Sequence, residues 1–388
     1  MSAIFSLLGK WIFKTDKDRE THTTSRLSFS SLFDIPTTYN TNHGRHFITT
    51  DNNVPRCSTV LDLTILKGKQ LEQAIQSLVY TLFPGCTVTN VRRVSGALTN
   101  AVYFVTVGNT TTLLLRVYGI GSDEFIDRSN ELLWLNRLAH LKLGPRLLAI
   151  FGNGRFEEFL PSTTLTHSDL QDPVLSAQIA RRFRQLHSLI DIYPPASQDD
   201  MAVWHSVDRW FDTLQQDSHS LPFIFDFDRL GREIGQCKAF LKNTSPIVFA
   251  HNDVQYGNVL RLKGTANTLV LVDFEYAGYN PRGYDIANHF IEWTYNYHGD
   301  TPALMCPDAF PSTAQQIRFL KEYANGDDNL VDSLLVETRQ WLMAVHLHWG
   351  LWGLVQACHS EIDFDYISYA LERIGAFRKE LQKMIADQ

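Results

Sequence analysis

The chain has 388 residues, of which 44% are hydrophobic and 20% charged, the balance of an ordinary globular protein large enough for two lobes. Its formal net charge of −7 gives no support for nucleic acid or anionic lipid as a partner, whereas a cationic substrate would be tolerated. The cysteines are scattered and include no Cys-x-x-Cys pair, so neither a disulfide framework nor a zinc site is expected, and the predicted location is the cytoplasm.

The N-terminal segment is poor in residues that could form a core. Ser, Thr and Asn fill 16 of the 33 positions from Thr21 to Asn53, and we expect residues 1–55 to form a disordered leader. Residues 3–13 leave a second interpretation open, a short amphipathic turn that docks or touches a membrane surface. No apolar run reaches the ~20 residues that a membrane span requires, so no integral membrane segment is predicted.

Residues 56–160 are predicted to form a small, β-rich lobe. A helix over 71–83 ends at Pro84-Gly85, and a second helix over 123–143 ends at Gly144-Pro145. Five segments have the composition of strands: 87–94, 101–107, 111–118, 147–151 and 156–160.

Residues 161–388 are predicted to form a larger lobe. Two short apolar runs, before His251 and before Asp273, are predicted strands. Apolar residues recur at helical spacing in seven segments: 170–191, 200–216, 229–243, 282–298, 312–325, 328–359 and 363–386. The expected fold class is therefore α+β with two lobes, the first β-rich with one main helix and the second mostly helical.

The spacing His251-x-Asp253-x-x-x-x-Asn258, followed by Asp273 at the end of the next strand, is the pattern of kinase phosphoryl transfer. Asp253 is predicted to be the general base that accepts the proton of a substrate hydroxyl. Asn258 and Asp273 offer the oxygen ligands that Mg²⁺ requires on the phosphates of ATP. His251 is expected to orient the loop, and Gln255 to hold it or to bind near the phosphates.

The phosphates of ATP are predicted to meet the small lobe at two places. A turn with Ser95, Gly96 and Asn100 can lay backbone N–H groups over them, although an ordinary hairpin turn is the alternative. Arg116 is a lone cation in an apolar strand, so it should meet a phosphate or pair with Glu131, unless it points to solvent at a strand edge.

The connector between the lobes is the expected place for adenine. Glu158 and Leu160, just before Pro161, are the candidates for main-chain contacts to the base. Beyond the connector, Glu275 stands where protein kinases have the glycine of Asp-Phe-Gly, and residues 279–289 run directly into a helix. Because this leaves no room for an activation segment, the acceptor should be a small molecule.

These residues resemble those of the choline/ethanolamine kinase family. The resemblance rests on segments 251–258 and 272–276, and it continues through 284–290, Glu292-Trp293 and 348–352. It implies a kinase-like two-lobed fold, ATP with Mg²⁺, and phosphorylation of choline or ethanolamine as the first step of phospholipid synthesis. Because dimers are frequent in the family, a homodimer is a further expectation.

The resemblance also implies a pocket for the ammonium group of the acceptor. Its matching residues are aromatic and acidic: Glu292, Tyr297, Trp349, Trp352, Phe364 and Tyr369. Because a quaternary ammonium cannot donate hydrogen bonds, π faces and a nearby carboxylate are suited to hold it. The alternatives are core packing for each aromatic residue and an exposed helix face for Glu292.

The expected function is ATP-dependent phosphorylation of choline, with ethanolamine left open as an additional acceptor. The alternatives are an ethanolamine kinase, another small-molecule kinase of the aminoglycoside phosphotransferase type, and a catalytically inactive kinase-like binding module.

Overall fold

The computed structural model describes residues 54–94, 100–119, 127–197, 199–265, 268–360 and 362–387. The predicted leader lies outside these residues except for Val54 and Pro55, and so do Ser95 and Gly96 of the predicted phosphate turn.

The N-terminal half is built on a five-stranded antiparallel sheet with strand order β1-β2-β3-β5-β4. Its strands are β1 (Val88–Val94), β2 (Asn100–Val107), β3 (Thr111–Tyr118), β4 (Leu147–Phe151) and β5 (Gly154–Glu158). The predicted strands are thereby confirmed to within two residues at each end.

Alternation along β3 gives the sheet two different faces. Leu113, Leu115 and Val117 are buried against helix α1 (Gly68–Leu82), which supplies Ile75, Leu78 and Val79 to a shared apolar core. Arg116 lies between them in sequence and therefore points to the opposite face, because successive side chains of a strand alternate. Helix α2 (Arg128–His140) begins at its N-cap Asp127, whose side chain accepts a hydrogen bond from the amide of Asn130.

The C-terminal half is mainly helical. Its helices are α3 (Pro173–His187), α4 (Ala202–Gln216), α5 (Phe227–Leu241), α6 (Arg282–Glu292), α7 (Thr313–Tyr323), α8 (Asp328–His359) and α9 (Tyr366–Ala386). Five short strands complete it: β6 (Ser162–Thr164), β7 (Ile247–Ala250), β8 (Val259–Leu262), β9 (Leu269–Leu271) and β10 (Gly278–Pro281). They form the two-stranded sheet β10-β7 and the three-stranded sheet β6-β8-β9.

Two differences from the predicted elements shape the site. Strands β6, β8 and β10 were not predicted, because three or four residues carry too little periodicity to reveal a strand paired with distant partners. The helix expected over 282–298 ends at Glu292, and the chain then turns so that Tyr297 comes back to Glu292. Trp293, Thr294 and Tyr295 are buried in this turn, so the buried run continues past Glu292 and does not mark where the helix ends.

Two glycines allow α8 and α9 to pack closely. A Cβ at Gly353 would lie 2.9 Å from Cδ1 of Tyr369, and one at Gly350 would lie 2.8 Å from Cδ1 of Ile374. Because Trp352 neighbours Gly353, the close approach brings Trp352 beside Tyr369. Within the part of the chain that the structure describes, no helix combines the length and apolar character needed to cross a membrane.

Candidate active site

A cavity of about 760 Å³ is lined by both halves of the protein. Val94, Asn100, Val102 and Arg116 reach it from the sheet, and the loops after β7 and β9 reach it from the helical half. It brings together twelve of the predicted site residues: Asn100, Arg116, Asp253, Gln255, Asn258, Asp273, Glu292, Tyr297, Trp349, Trp352, Phe364 and Tyr369.

The loop after β7 is held by a buried carboxylate in the first turn of α6. Asp285 accepts hydrogen bonds from the amides of His251 (2.9 Å) and Asn252 (2.8 Å), and from Nε2 of His187 (2.9 Å). Burial would raise the pKa of Asp285, but these hydrogen bonds and the nearby imidazoles bring it below its ordinary value. The ionised carboxylate therefore fixes a turn in which Asn252 has a φ of 67°.

Asn258 fixes the orientation of the Asp253 carboxylate. Its Nδ2 donates to Oδ2 of Asp253 (2.8 Å) and to the Asp253 carbonyl (2.9 Å). His251 donates from Nε2 to the carbonyl of Val272 (3.0 Å) and accepts from the Asp253 amide at Nδ1 (3.3 Å). It thus joins the loop to the residue before Asp273, in agreement with its predicted orienting role. Burial and the carboxylates of Glu292, Asp273 and Glu275 raise the pKa of Asp253 well above its usual range.

The donors around Asp273 fit a divalent cation. Carboxylate oxygens of Glu131, Asp273 and Glu275 lie within 4.8 Å of one another, and Asn258 faces the same cavity as Asp273 and Glu275. Burial and the nearby Asp273 raise the pKa of Glu275 to about 7, so this carboxylate is a desolvated acid beside a second one. Hard oxygen donors with excess negative charge are the set that Mg²⁺ prefers.

The structure corrects the predicted pairing of Arg116 with Glu131. Nη1 of Arg116 pairs with Oδ1 of Asp273 at 2.9 Å, and its Nε lies 3.4 Å from Glu157. Glu131 is paired with Arg155 on β5 (2.6 Å) and with Arg128 (2.9 Å). Arg155 lies directly opposite Arg116 in the sheet, so two cations share one face among several carboxylates. Only the strand pairing reveals this arrangement, because Arg155 and Glu131 are far apart in sequence.

Glu158 and Leu160 are not in the lining of this cavity. The Glu158 amide donates to the carbonyl of Arg146 (2.8 Å), and its carboxylate pairs with the Arg146 side chain (3.2 Å). The carbonyl of Leu160 accepts from Oγ of Ser162 (2.8 Å). Adenine contacts at these two residues therefore stay a prediction.

The acceptor end of the cavity contains a buried carboxylate. Glu292 is only 2% exposed, so the alternative of an exposed helix face is wrong. Its Oε2 accepts from the hydroxyl of Tyr297 (2.7 Å) and its Oε1 from Nη2 of Arg373 (2.9 Å). The sequence interpretation did not include Arg373, because a single arginine in an amphipathic helix shows no sign of burial.

Aromatic rings surround this end. Trp349 and Trp352 meet edge to face with centroids 5.5 Å apart, and Tyr369 lies 6.0 Å from Trp352 and 5.8 Å from Phe364. Tyr276, the last residue of segment 272–276, has no predicted role, but it packs against Trp349 at 5.3 Å and also lines the cavity. Its position next to Glu275 in the motif was the signal that could have identified it.

The site is that of a phosphotransferase with the protein-kinase-like fold. It combines Arg116 on the sheet, the loop that fixes Asp253 through Asn258, and the carboxylates of Asp273 and Glu275 after β9. A sequence profile of choline/ethanolamine kinase matches residues 91–378. "Probable choline kinase 2" of Arabidopsis thaliana is 35% identical over 303 residues, which cover 75% of this chain and 85% of that protein. "Choline/ethanolamine kinase" of Homo sapiens is 36% identical over 283 residues, covering 67% and 70% of the two chains.

A solved structure of a Plasmodium vivax ethanolamine kinase is also similar, with 27% identity and a TM-score of 0.65 over 75% of this chain and 84% of that chain. From the profile match and these relatives, the chain belongs to the choline/ethanolamine kinase family.

Proposed function

We propose that this protein transfers the γ-phosphoryl group of ATP to the hydroxyl of choline, forming phosphocholine and ADP, and that it also accepts ethanolamine. One observation carries the proposal: Asp253 and the wall formed by Glu292 and the aromatic rings open onto the same cavity. A short amino alcohol can therefore place its hydroxyl at the carboxylate and its ammonium at the rings. Phosphocholine would feed phospholipid synthesis.

Asp253 is the proposed general base. The substrate hydroxyl gives its proton to the carboxylate as its oxygen bonds to the γ-phosphorus, and the bond from that phosphorus to the bridging oxygen of ADP breaks. The raised pKa of Asp253 favours proton acceptance, and the hydrogen bond from Asn258 keeps the carboxylate in one orientation.

Asn258 and Asp273 are the residues proposed to hold Mg²⁺. The ion, when bound, would neutralise charge on the ATP phosphates. Arg116 is proposed to leave its ion pair with Asp273 and to contact a phosphate oxygen, since Asp273 would then have the metal as its counterion. Asn100, Ser95 and Gly96 are proposed to lie near the same phosphates.

Gln255 is proposed to support the loop rather than to bind ATP directly. Its side-chain oxygen accepts from the amide of Gly257, within the turn that leads to Asn258. Glu131 is likewise an indirect partner, because its carboxylate is occupied by Arg155 and Arg128.

The proposal is tested by following ADP release from MgATP by the full chain with choline, ethanolamine, an amino sugar or a hydroxy amino acid. We expect turnover with choline and ethanolamine and none with the other two. Turnover with the amino sugar alone would identify another small-molecule kinase. A folded protein that binds ATP but releases no ADP with any acceptor would be an inactive binding module.

The two lobes at 56–160 and 161–388, the cytoplasmic location and the homodimer stay predictions from the sequence.

A further inference from the structure

We propose that Arg373, acting through Glu292 as a positioning residue, makes the acceptor pocket select a fully methylated ammonium over a primary one. The inference rests on the proposed function and names a determinant of its substrate preference.

Arg373 is a buried cation on α9 that is fully enclosed by the protein. Its guanidinium lies 4.4 Å from the ring centroid of Tyr295 and 5.1 Å from that of Tyr369. Nη2 donates to Oε1 of Glu292, whereas Nε and Nη1 make no hydrogen bond within the described residues. Since a buried charge is costly without a counterion, the pair with Glu292 holds both side chains in place.

Each oxygen of Glu292 therefore already accepts a hydrogen bond from a protein side chain. Oε1 accepts from Arg373 and Oε2 accepts from Tyr297. The negative charge of the carboxylate is balanced by the guanidinium, so the wall is close to neutral. Glu292 thus offers an incoming ammonium little net negative charge, and both of its oxygens already accept a hydrogen bond.

The two tryptophans of this wall offer an ammonium no acceptor, because an indole N–H can only donate. Nε1 of Trp349 donates to Oδ1 of Asn288 (2.7 Å), and Nε1 of Trp352 donates to the hydroxyl of Tyr276 (3.0 Å). What remains for the ligand is mainly the faces and edges of aromatic rings.

The aromatic ring faces interact differently with the primary ammonium of ethanolamine and the trimethylammonium of choline. A primary ammonium has three N–H donors that lose their hydrogen bonds to water on entry, and unpaired buried donors are costly. A trimethylammonium has no such donors and gains from contact with π faces. The pocket is therefore built for choline more than for ethanolamine.

The test compares kcat/KM for choline and for ethanolamine in the full chain with saturating MgATP. We expect the ratio to exceed about 10 in the wild type, and to fall about tenfold in Tyr297→Phe, which keeps the ring but leaves Oε2 free to accept from a primary ammonium. The ratio does not depend on the fraction of folded enzyme, so a merely structural defect would not change it.

Tyr284→Phe is the matched control. Tyr284 is buried on the same helix as Glu292, its hydroxyl has no hydrogen-bond partner among the described residues, and it does not line the cavity. We expect this variant to keep the wild-type ratio.

Arg373→Lys is a second variant, because an ammonium cannot reproduce the flat stacking and the fork of the guanidinium. We expect a lower ratio, with a higher KM for choline and a nearly unchanged kcat. Equal kcat/KM for the two acceptors in the wild type, or an unchanged ratio in Tyr297→Phe, would overturn the inference while leaving the proposed function intact. Absence of turnover with both acceptors would instead remove the proposed function.

Discussion

The two ends of the cavity bury charge in different ways. The phosphate end holds a network of arginines and carboxylates that share partners: Arg116, Arg128, Arg155, Glu131, Glu157, Asp273 and Glu275. The acceptor end holds one buried ion pair, Glu292 with Arg373, among aromatic rings. The difference follows the ligands, because triphosphate with Mg²⁺ is a set of concentrated charges and choline is a single diffuse cation.

A shared network can change partners without leaving a charge unpaired. Arg116 contacts both Asp273 and Glu157, so a phosphate can replace the contact with Asp273 while the contact with Glu157 persists. Glu292 and Arg373 at the acceptor end form no second ion pair among the described residues, so their arrangement is more rigid. This rigidity is what would discriminate between choline and ethanolamine. Substitutions at the phosphate end are therefore expected to affect the use of ATP, and substitutions at the acceptor end to affect the use of choline.

The largest effect is expected where the two ends meet, at Asp253. Asp253→Asn removes the proton acceptor and should lower kcat by about 10³-fold, while ATP still binds. The measurements are ADP release with choline and ATP binding by calorimetry. Asp208→Asn, which loses only a surface ion pair with Lys238, is the control and should keep wild-type kcat. Comparable turnover in Asp253→Asn would exclude it as the base.

At the phosphate end, Arg116→Met should act on the nucleotide alone. Loss of a charge-assisted contact of about 2 kcal/mol corresponds to a rise of about 30-fold in the KM for ATP, with the KM for choline unchanged. Steady-state kinetics with each substrate varied in turn provides the measurement. Arg181→Met, at an exposed pair with Glu322, should change neither KM. A parallel rise in the KM for choline would show that the two ends are not independent.

Stability should respond to pH through His289, a buried residue of α6 that contacts the loop after β7. Both of its ring nitrogens are used by the neutral ring: Nδ1 donates to the carbonyl of Val254 (2.9 Å) and Nε2 accepts from Trp293 (3.3 Å). Burial lowers the pKa of His289 to about 4. Between that value and the ordinary 6.5 the unfolded chain binds more protons than the folded one, so stability falls as the pH is lowered through this window.

The expected loss from His289 is about 2 kcal/mol of unfolding free energy between pH 7 and pH 5. It is measured by urea unfolding at a series of pH values. In His289→Asn an amide takes the place of the ring near the former Nδ1 position, and the amide does not titrate. The contribution of His289 to the change of unfolding free energy with pH should therefore disappear. A slope that survives in His289→Asn would assign the acid sensitivity to another group.

The smallest effect is expected at the aromatic wall. Trp349→Leu keeps an apolar side chain but removes a π face, and the KM for choline should rise about tenfold with the KM for ATP unchanged. Trp204→Leu removes a tryptophan that packs on Trp341 outside the cavity, and it should leave both KM values as they are. An unchanged KM for choline in Trp349→Leu would return Trp349 to a packing role.

Much of this protein could be predicted from local sequence. Helix α8 has the predicted bounds and β3 the predicted eight residues, because both are long segments whose pattern is set by near neighbours. The loop from His251 to Asn258 was equally accessible, since its geometry depends on a fixed spacing within one turn. The placement of Trp349 and Trp352 on one face of α8 likewise follows from their spacing of three residues.

Tertiary structure alone decided which charges meet. Arg155 reaches Glu131 because β5 pairs with β3, and Arg373 reaches Glu292 because two glycines let α9 approach α8. The partners in these pairs are 24 and 81 positions apart in the chain. The residues next to a charged side chain in the sequence can indicate that it will need a counterion if it is buried. Whether it is buried, and which residue is the counterion, are decided only when distant segments pack.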